Sequence, residues 1–323
     1  MLTQTVGQDV DQDVDMTVQV GAVALQNPVM PASGTFAEGL AQVFDLNALG
    51  AFVTKTITHE KRQGNALPRV AETADGMLNS IGIPSKGLDA FLAEALPFYA
   101  PLRPPLVVSI SAPTADGFAR LARDVSLPGV AAIEANISCP NLEADGRAFA
   151  VLPETTAQAV AKLRKATSLP LWVKLSPNTM DIAAVARAAE AEGADAVVVA
   201  NTILGMAIDA QSFRPRLGNV MGGLSGAAVK PIILRMTYQV AKAVKIPVIG
   251  CGGIGNVEDA VEYLLAGATA VQVGTATFLH PAAMPEIIAG LRDFCVRRGI
   301  ARLRDLTGAL QGQAADRIAE HAA

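Results

Sequence analysis

Short apolar runs of strand length alternate with longer amphipathic segments along most of the chain. The runs are rich in Val, Ile, Leu and Ala and are bounded by Gly or Pro, which is typical of strands buried on both faces. Helical periodicity lies between them and is clearest at 155–167, 182–192, 227–244 and 257–266. Eight strands are predicted, at Pro28–Ser33, Phe52–Ile57, Leu106–Ser111, Ala132–Ser138, Leu171–Pro177, Ala196–Thr202, Pro247–Gly253 and Ala270–Ala276.

This alternation of strand and helix predicts an α/β fold with a parallel sheet, and eight repeats predict its closure into a (β/α)8 TIM barrel. Weak alternation in Met16–Ala24 predicts a short N-terminal hairpin ahead of the barrel. Long loops are expected after strands 2, 4 and 6, where barrels build pockets. Residues 1–15 have no period and are expected to form a mobile N-terminal tail, with 16–323 as a single barrel domain.

The residues that precede the strands support this division. A glycine stands directly before three strands, at Gly50, Gly193 and Gly267, and each is expected to end a helix in the left-handed conformation. A proline begins three others, where the missing N–H is tolerated. These prolines are Pro105, Pro170 and Pro247.

The composition suits a closely packed protein, since 51% of the 323 residues are hydrophobic and 17% are charged. Four aspartates in 1–15 carry the whole net charge of −4, so the rest of the chain is neutral. A neutral body without runs of Lys or Arg argues against nucleic acid or an anionic membrane as partner. The cysteines show no CxxC spacing, and no signal peptide or membrane-spanning run is visible, which favours a cytoplasmic protein.

The most informative stretch is the end of the fourth strand, Glu134–Asn141. Alternation puts Glu134, Asn136 and Ser138 on one face of a strand that is buried on both, so this face must look into a site or a satisfied network. Cys139 follows at the carboxyl end, where barrel enzymes place their chemistry. A free cysteine has a pKa of about 8.5, so Cys139 would need local help to act as a base, and an inert buried thiol is the alternative.

Two lysines are predicted to point into the barrel, Lys55 on the second strand and Lys174 on the fifth. A buried lysine is costly unless it is paired, and Glu134 on the neighbouring strand is the expected partner of Lys174. The remaining positive charge would suit an anion or a cofactor that becomes negative on reduction. A purely structural ion pair is the alternative.

Asparagines collect at the predicted strand ends and in the second loop. Each alone is more often a turn residue, but together they offer the donors and acceptors that a ring with amide groups requires. They are Asn79, Asn136, Asn141 and Asn201.

The glycine-rich turn Gly250–Gly255 fits a GxGxxG pattern, but the strand that follows carries no acidic residue to hold a ribose. Gly252 and Gly253 after strand seven and Gly274 and Thr275 after strand eight instead match the usual phosphate site of a barrel. A single phosphate is therefore predicted at this edge. The histidines are scattered, so no metal site is expected.

In combination, these motifs resemble those of class 1 dihydroorotate dehydrogenases, from about residue 18 to residue 280. Residues 65–73 and the loop Gly222–Gly226 are most similar to class 1B, the FMN-containing catalytic subunits. The matching segments are Pro31–Gly34, Lys55–Thr56, Gly64–Arg69, Glu72–Gly82, Asn136–Asn141, Lys174–Asn178, Asn201–Thr202, Gly250–Ile254 and Gly274–Thr275.

The resemblance implies a barrel that uses FMN to oxidise (S)-dihydroorotate to orotate in pyrimidine (UMP) biosynthesis. Cys139 would take the C5 proton while hydride passes from C6 to the flavin N5, with Lys55 beside both. Lys174 would stabilise the anionic reduced flavin. The implied substrate-binding residues are Lys55, Asn79, Ser80, Ile81, Gly82, Asn136, Asn141, Asn201 and Thr202. The implied FMN-binding residues are Ala32, Ser33, Lys55, Thr56, Asn136, Lys174, Val199, Gly226, Gly252, Gly253, Gly274 and Thr275.

The chain departs from the family pattern in two places. Near the end of the third strand an asparagine is expected, but Ile110 lies between Ser109 and Ser111, either of which is a candidate to replace it. After Cys139, Asp145 and Arg147 stand where glycine and glutamine are expected. The hypothesis for the second place is that the loop closes differently or that its arginine reads the substrate carboxylate.

Class 1B catalytic subunits pair with a second subunit that carries FAD and an iron–sulfur cluster and passes electrons to NAD. The resemblance therefore implies such a partner and a homodimeric core within a hetero-oligomer. One alternative is a related flavin barrel that reduces uracil-type rings. Another is a cofactor-free phosphate-binding isomerase or aldolase that uses Lys174 as an acid/base or Schiff-base residue, and the third is a non-catalytic flavin scaffold.

Overall fold

A short antiparallel hairpin precedes the barrel, formed by β1 (Val18–Val20) and β2 (Val23–Leu25). The computed structural model describes residues 14–138 and 149–311. The elements that follow are, in chain order, β3 (Val29–Pro31), β4 (Phe52–Val53), β5 (Val70–Thr73), β6 (Gly76–Asn79), α1 (Leu88–Ala90), α2 (Leu96–Tyr99), β7 (Leu106–Ile110), α3 (Ala115–Asp124), β8 (Ala132–Ala135), α4 (Pro153–Ala166), β9 (Leu171–Lys174), α5 (Ile182–Ala191), β10 (Ala196–Val199), β11 (Ile203–Met206), β12 (Ile208–Asp209), β13 (Arg214–Pro215), β14 (Met221–Ser225), α6 (Lys230–Ala243), β15 (Val248–Gly250), α7 (Val257–Leu265), β16 (Ala270–Val273), α8 (Ala276–Leu279) and α9 (Ala283–Arg298). Further short helical turns lie at Glu38–Gln42, Leu46–Ala48, Phe91–Ala95, Phe149–Val151, Ala227–Val229 and Leu303–Leu306.

Eight parallel strands form the barrel, in the order β3-β16-β15-β10-β9-β8-β7-β4. All eight coincide with the predicted strands, so the (β/α)8 prediction is confirmed. The ends of this sheet meet where the Gly50 N–H donates to the Val29 carbonyl over 2.8 Å. The side chain of Asn27 adds a hydrogen bond of 2.8 Å to the Ala48 carbonyl, which ties the same seam together.

The prolines at the strand starts act as predicted. Each gives its carbonyl to the neighbouring strand, and its missing N–H is not needed. Pro105 accepts from Phe52, for example, over 2.9 Å, and Pro170 and Pro247 accept in the same way. The glycine prediction holds at Gly193 and Gly267, which have φ of 91° and 108°. It is wrong at Gly50, whose φ is not positive; there a side chain would overlap the Asn27 carbonyl across the seam.

Side-chain caps begin several of the helices that pack around the barrel. Thr114 caps α3 and Asp181 caps α5, each by accepting from a backbone N–H of the first turn. Asn256 and Asp259 form a complete capping box at the start of α7. These polar residues stop the strand-to-helix loops at defined positions, and the helices then bury one apolar face each.

The long loops after the second and sixth barrel strands meet and form a second sheet. Its order is β11-β14-β6-β5, and every pairing is antiparallel. The predicted long loops are thus confirmed here, but the sheet they build was not predicted. The long loop predicted after strand four includes residues 139–148, which lie outside the described residues, so it stays a prediction.

The division into a tail and a barrel domain stays a prediction, because residues 1–13 lie outside the described part of the chain. Val14 is buried, and Asp15 belongs to the packed body: its N–H donates to the Ala301 carbonyl and its carboxylate pairs with Arg304 at 2.7 Å. Within 14–138 and 149–311, no helix combines the length and apolarity needed to cross a membrane.

Replacing Gly50 by alanine should weaken the barrel seam. The new methyl group would overlap the backbone of Asn27 and Val29, which cannot move without opening the sheet. We expect a loss of about 1–3 kcal/mol in the free energy of unfolding, measured by denaturant titration. Gly39→Ala is the matched control, since its methyl group would meet nothing within 4 Å. Equal stability of the two variants would contradict this account of the seam.

Candidate functional site

A network of polar side chains fills the barrel interior below its carboxyl end. Gln272 on β16 donates to the Glu134 carboxylate over 2.6 Å, and Ser109 on β7 donates to the same carboxylate over 3.1 Å. All three side chains are fully buried. A buried carboxylate is tolerable only when its oxygens accept hydrogen bonds, as here.

Lys174 joins this network, but not through the ion pair predicted from sequence. Its ammonium donates to the Gln272 side-chain oxygen over 3.1 Å and to the Ser33 hydroxyl over 3.3 Å, so Gln272 lies between Lys174 and Glu134. Burial lowers the pKa of Lys174, but the Cys251 sulfur and the Glu134 carboxylate raise it, and the net pKa lies above its ordinary value. The side chain is therefore charged at neutral pH.

A second branch of hydrogen bonds leads from Glu134 to the predicted substrate side. The Ser109 hydroxyl donates its one proton to Glu134. The Thr56 hydroxyl, 2.9 Å away, must therefore donate to the oxygen of Ser109. Asn136 in turn donates to Thr56 over 3.2 Å, and its side-chain oxygen accepts from Ser138 over 2.8 Å. The side-chain nitrogen of Asn136 therefore faces Thr56 and its oxygen faces Ser138, and these two bonds fix the orientation of the amide.

Asn201, after β10, completes the branch by donating to Ser138 over 2.7 Å. Its own oxygen accepts from the N–H of Thr202 over 2.7 Å. The structure thus brings two of the predicted asparagines, Asn136 and Asn201, to one edge of the barrel and fixes both. Ser138, which separates them, was not predicted as a site residue, although its place on the polar face of strand four gave the signal.

Lys55 does not share the interior with Glu134, which corrects the prediction that both lysines point inward. The barrel strand β4 ends at Val53, two residues earlier, so strict alternation no longer applies. Lys55 is exposed, and its ammonium lies at the mouth of the barrel, 3.2 Å from where a side chain on Gly34 would begin. Thr56 is the inward residue of this segment.

The predicted substrate segment Asn79–Gly82 begins at the last residue of β6, in the four-stranded sheet β11-β14-β6-β5, which we call the loop sheet. Asn79 donates to the Gly223 carbonyl over 3.2 Å, and so connects the loops that follow the second and sixth strands. Asn65 holds the rest of the segment: its side chain donates to the Ser80 hydroxyl over 2.8 Å and its N–H to the Ile81 carbonyl over 3.0 Å. Gly82 has φ of 76° and packs against the same asparagine.

Four predicted glycines follow the ends of β14, β15 and β16, and we call them the glycine cluster: Gly226, Gly252, Gly253 and Gly274. A side chain on Gly253 would lie 2.8 Å from the Gly226 carbonyl, so these loops approach backbone to backbone. Thr275 fixes the contact by donating to the Ser225 hydroxyl over 2.8 Å. Among the described residues, the N–H groups of the cluster donate to no protein acceptor. Such N–H groups at strand ends, beside the short helix α8, are the donors that bind a phosphate in barrels.

Two further residues predicted to contact the cofactor lie at the edge of the barrel. Ala32 and Val199 are both buried there. The Ala32 N–H donates to the Val273 carbonyl over 2.8 Å, and the Val199 carbonyl accepts from the Cys251 N–H over 2.6 Å.

In the part of the chain that the structure covers, no three His, Cys, Asp or Glu side chains are placed to hold a metal ion. The predicted residues that lie outside the described part are Cys139, Asn141, Asp145 and Arg147.

Sequence reasoning missed Gln272, which is the centre of the interior network. The predicted strand Ala270–Ala276 alternates, and Gln272 is its one large polar residue in an otherwise apolar run. That signal was available, because a glutamine buried on a barrel strand needs partners for both ends of its amide. Ser109, considered only as a replacement for a flavin contact, is instead used by Glu134 and Thr56.

Comparison with known proteins assigns the chain to a family. The family model for dihydroorotate dehydrogenase matches residues 15–295. The chain belongs to the dihydroorotate dehydrogenase family. A relative from Trichlorobacter lovleyi, described as dihydroorotate dehydrogenase B (NAD(+)), catalytic subunit, is 51% identical over 92% of this chain and 99% of its own length. Proteins with the same description from Pelobacter propionicus and Bacteroides fragilis are 49% and 47% identical over the same shares of both chains.

Membership in this family confirms the resemblance to class 1B drawn from the sequence motifs. The shared region includes every barrel strand and the whole interior network, so the family's site would lie where these residues meet. The alternative of a cofactor-free isomerase or aldolase is set aside, since relatives of this identity and coverage carry dehydrogenase descriptions.

The two described cysteines should be slow to react with thiol reagents. Cys251 and Cys295 are buried, and burial raises the pKa of both thiols, so little thiolate forms at neutral pH. In a Cys139→Ser variant of the native protein, a chromogenic disulfide reagent should therefore label no thiol rapidly at pH 7–8. Two thiols per chain should react after denaturation. Rapid labelling of the native variant would contradict the buried placement.

Proposed function

We propose that the chain is the catalytic subunit of a class 1B dihydroorotate dehydrogenase, which oxidises dihydroorotate to orotate in pyrimidine biosynthesis. The similarity to curated class B catalytic subunits along nearly the whole chain supports this most directly. The site agrees with it, because one edge of the barrel combines a buried ammonium, fixed asparagine amides and a cluster of open N–H groups.

The residues present fit FMN as the cofactor. The open N–H groups of the glycine cluster suit its phosphate, and Lys174, charged although buried, suits a ring that carries negative charge once reduced. When bound, FMN supplies the hydride acceptor. The residues we assign to it are Ala32, Ser33, Lys55, Thr56, Asn136, Lys174, Val199, Gly226, Gly252, Gly253, Gly274 and Thr275.

We assign the substrate to the same edge, between the loop sheet and strand four. A dihydropyrimidine ring presents amide donors and acceptors, which Asn79, Asn136 and Asn201 can match. Lys55 at the barrel mouth would balance the carboxylate, and Cys139 would take the C5 proton. The assigned substrate residues are Lys55, Asn79, Ser80, Ile81, Gly82, Asn136, Asn141, Asn201 and Thr202.

An electron-transfer partner is part of the proposal. The curated relatives are described as catalytic subunits that use NAD(+), which implies that a second subunit completes their enzyme. We propose that a subunit with FAD and an iron–sulfur cluster plays this role here, around a homodimer of this chain. Neither group has an assigned site within this chain.

The absorbance spectrum of the purified chain tests the proposal. We expect bound flavin, and anaerobic dihydroorotate should bleach it. In a Cys139→Ser variant the flavin should remain bound while bleaching slows by about 10²–10⁴-fold, the usual contribution of a general base. A flavin that dihydroorotate does not bleach would move the substrate to another ring, and a chain that binds no FMN would overturn the proposal.

The glycine cluster gives a separate prediction for cofactor affinity. In Gly253→Ala the methyl group would lie 2.8 Å from both the Gly226 oxygen and the Lys230 Cβ, at a φ of 71° that disfavours a side chain. The loops must then separate, and we expect FMN to bind at least about tenfold more weakly, as measured by flavin fluorescence. The control is Gly255→Ala in the same turn, where the nearest atom is 3.7 Å away. Equal affinities in the two variants would exclude this role.

A further inference from the structure

The interior network contains a separated pair of opposite charges. The Lys174 ammonium and the Glu134 carboxylate are both buried, yet they form no direct ion pair, and one amide, that of Gln272, occupies the place between them. Its oxygen faces the ammonium at 3.1 Å, and its nitrogen faces the carboxylate at 2.6 Å.

Both charges are also held from the far side, away from the glutamine. Ser33, beyond β3, accepts from the ammonium over 3.3 Å and so keeps it near the edge of the barrel. Ser109 donates to the other carboxylate oxygen over 3.1 Å and is fixed in turn by Thr56. The two charges are therefore prevented from approaching each other by contacts on four different strands or strand ends.

An uncharged amide is the side chain that can satisfy both groups at once. It offers an acceptor at one atom and donors at the other, and a carboxylate or an ammonium in its place would repel one neighbour. In this low-dielectric interior, a direct lysine–glutamate contact would cancel most of the positive electrostatic potential of the ammonium. With the amide between them, that field is available at the barrel edge, where Ser33 marks the position of the ammonium.

We propose that Gln272 is a positioning residue that holds Lys174 away from Glu134, so that the ammonium stabilises the negative charge of the reduced flavin. This inference rests on the proposed function, since it needs a flavin at the edge of the barrel. Gln272 touches neither substrate nor cofactor in this account and acts only through Lys174. Its removal should therefore change the balance between oxidised and reduced flavin more than it changes the affinity for oxidised FMN.

The test is the midpoint reduction potential of the bound flavin in Gln272→Met, measured by anaerobic titration against a reference dye. Methionine keeps the length of the side chain but cannot separate the charges, so Lys174 should move to Glu134. The potential should become more negative, equivalent to an at least tenfold loss of preference for reduced flavin. Adding Glu134→Gln to this variant should recover most of the shift, because the attracting charge is gone.

Gln239→Met is the matched control, since this exposed glutamine on α6 accepts a hydrogen bond from Arg235 on the same helix and should leave the potential unchanged. If Gln272→Met does not fold, Gln272→Glu replaces it: a carboxylate beside Lys174 should also make the potential more negative. Folded variants with the wild-type potential, or a shift that Glu134→Gln does not recover, would overturn this inference. A wild-type chain that binds no flavin would instead overturn the proposed function.

Discussion

The site depends on a buried carboxylate that receives hydrogen bonds from two directions. Glu134 accepts from Gln272 on one side and from Ser109 on the other, and each donor begins a branch that reaches the carboxyl edge of the barrel. One branch ends at the Lys174 ammonium, the other at Asn201. A single interior charge thus orients both the cation assigned to the flavin and the amides assigned to the substrate, and satisfied networks of this kind are rigid.

The long loops after the second and sixth barrel strands are hydrogen-bonded directly to each other and to the edge of the barrel. The hairpin β5–β6 and the strand β14 come from loops about 140 residues apart, yet they pair directly, with Asn79 opposite Gly223. Thr275 is bonded to Ser225, at the end of the same strand β14. The edge assigned to the phosphate and the loops assigned to the substrate are therefore connected directly, which would keep the two bound rings in register during hydride transfer.

Most of the barrel could be predicted from sequence because each strand is locally encoded. Apolar runs bounded by proline or glycine fix where strands start, and Pro105, Pro170 and Pro247 kept that role in the structure. The loop sheet could not be predicted, because its strands are not marked by a local sequence pattern. Its strands are short and half exposed, and the pairing that joins the two loops, between β6 and β14, connects segments that lie far apart in the chain.

The sequence predicted many of the residues of the candidate site but not the hydrogen bonds that connect them. Lys174 and Glu134 were recognised as buried charges, but their separation by Gln272 depends on the stagger of three strands, which alternation along one strand does not reveal. The orientation of Lys55 was wrong because β4 stops at Val53 and its alternation ends there. The strand-end pattern identified Gly252, Gly253 and Gly274, and the motif resemblance added Gly226. Only the structure showed that Gly226 and Gly253 approach backbone to backbone.

The most direct measurement is a crystal structure of the chain with FMN and orotate bound. This account predicts that the phosphate accepts from N–H groups of the glycine cluster and that orotate contacts the amides of Asn79, Asn136 and Asn201. It also predicts that Gln272 still lies between Lys174 and Glu134. A phosphate bound elsewhere, or a direct contact between Lys174 and Glu134 beneath the flavin, would contradict it.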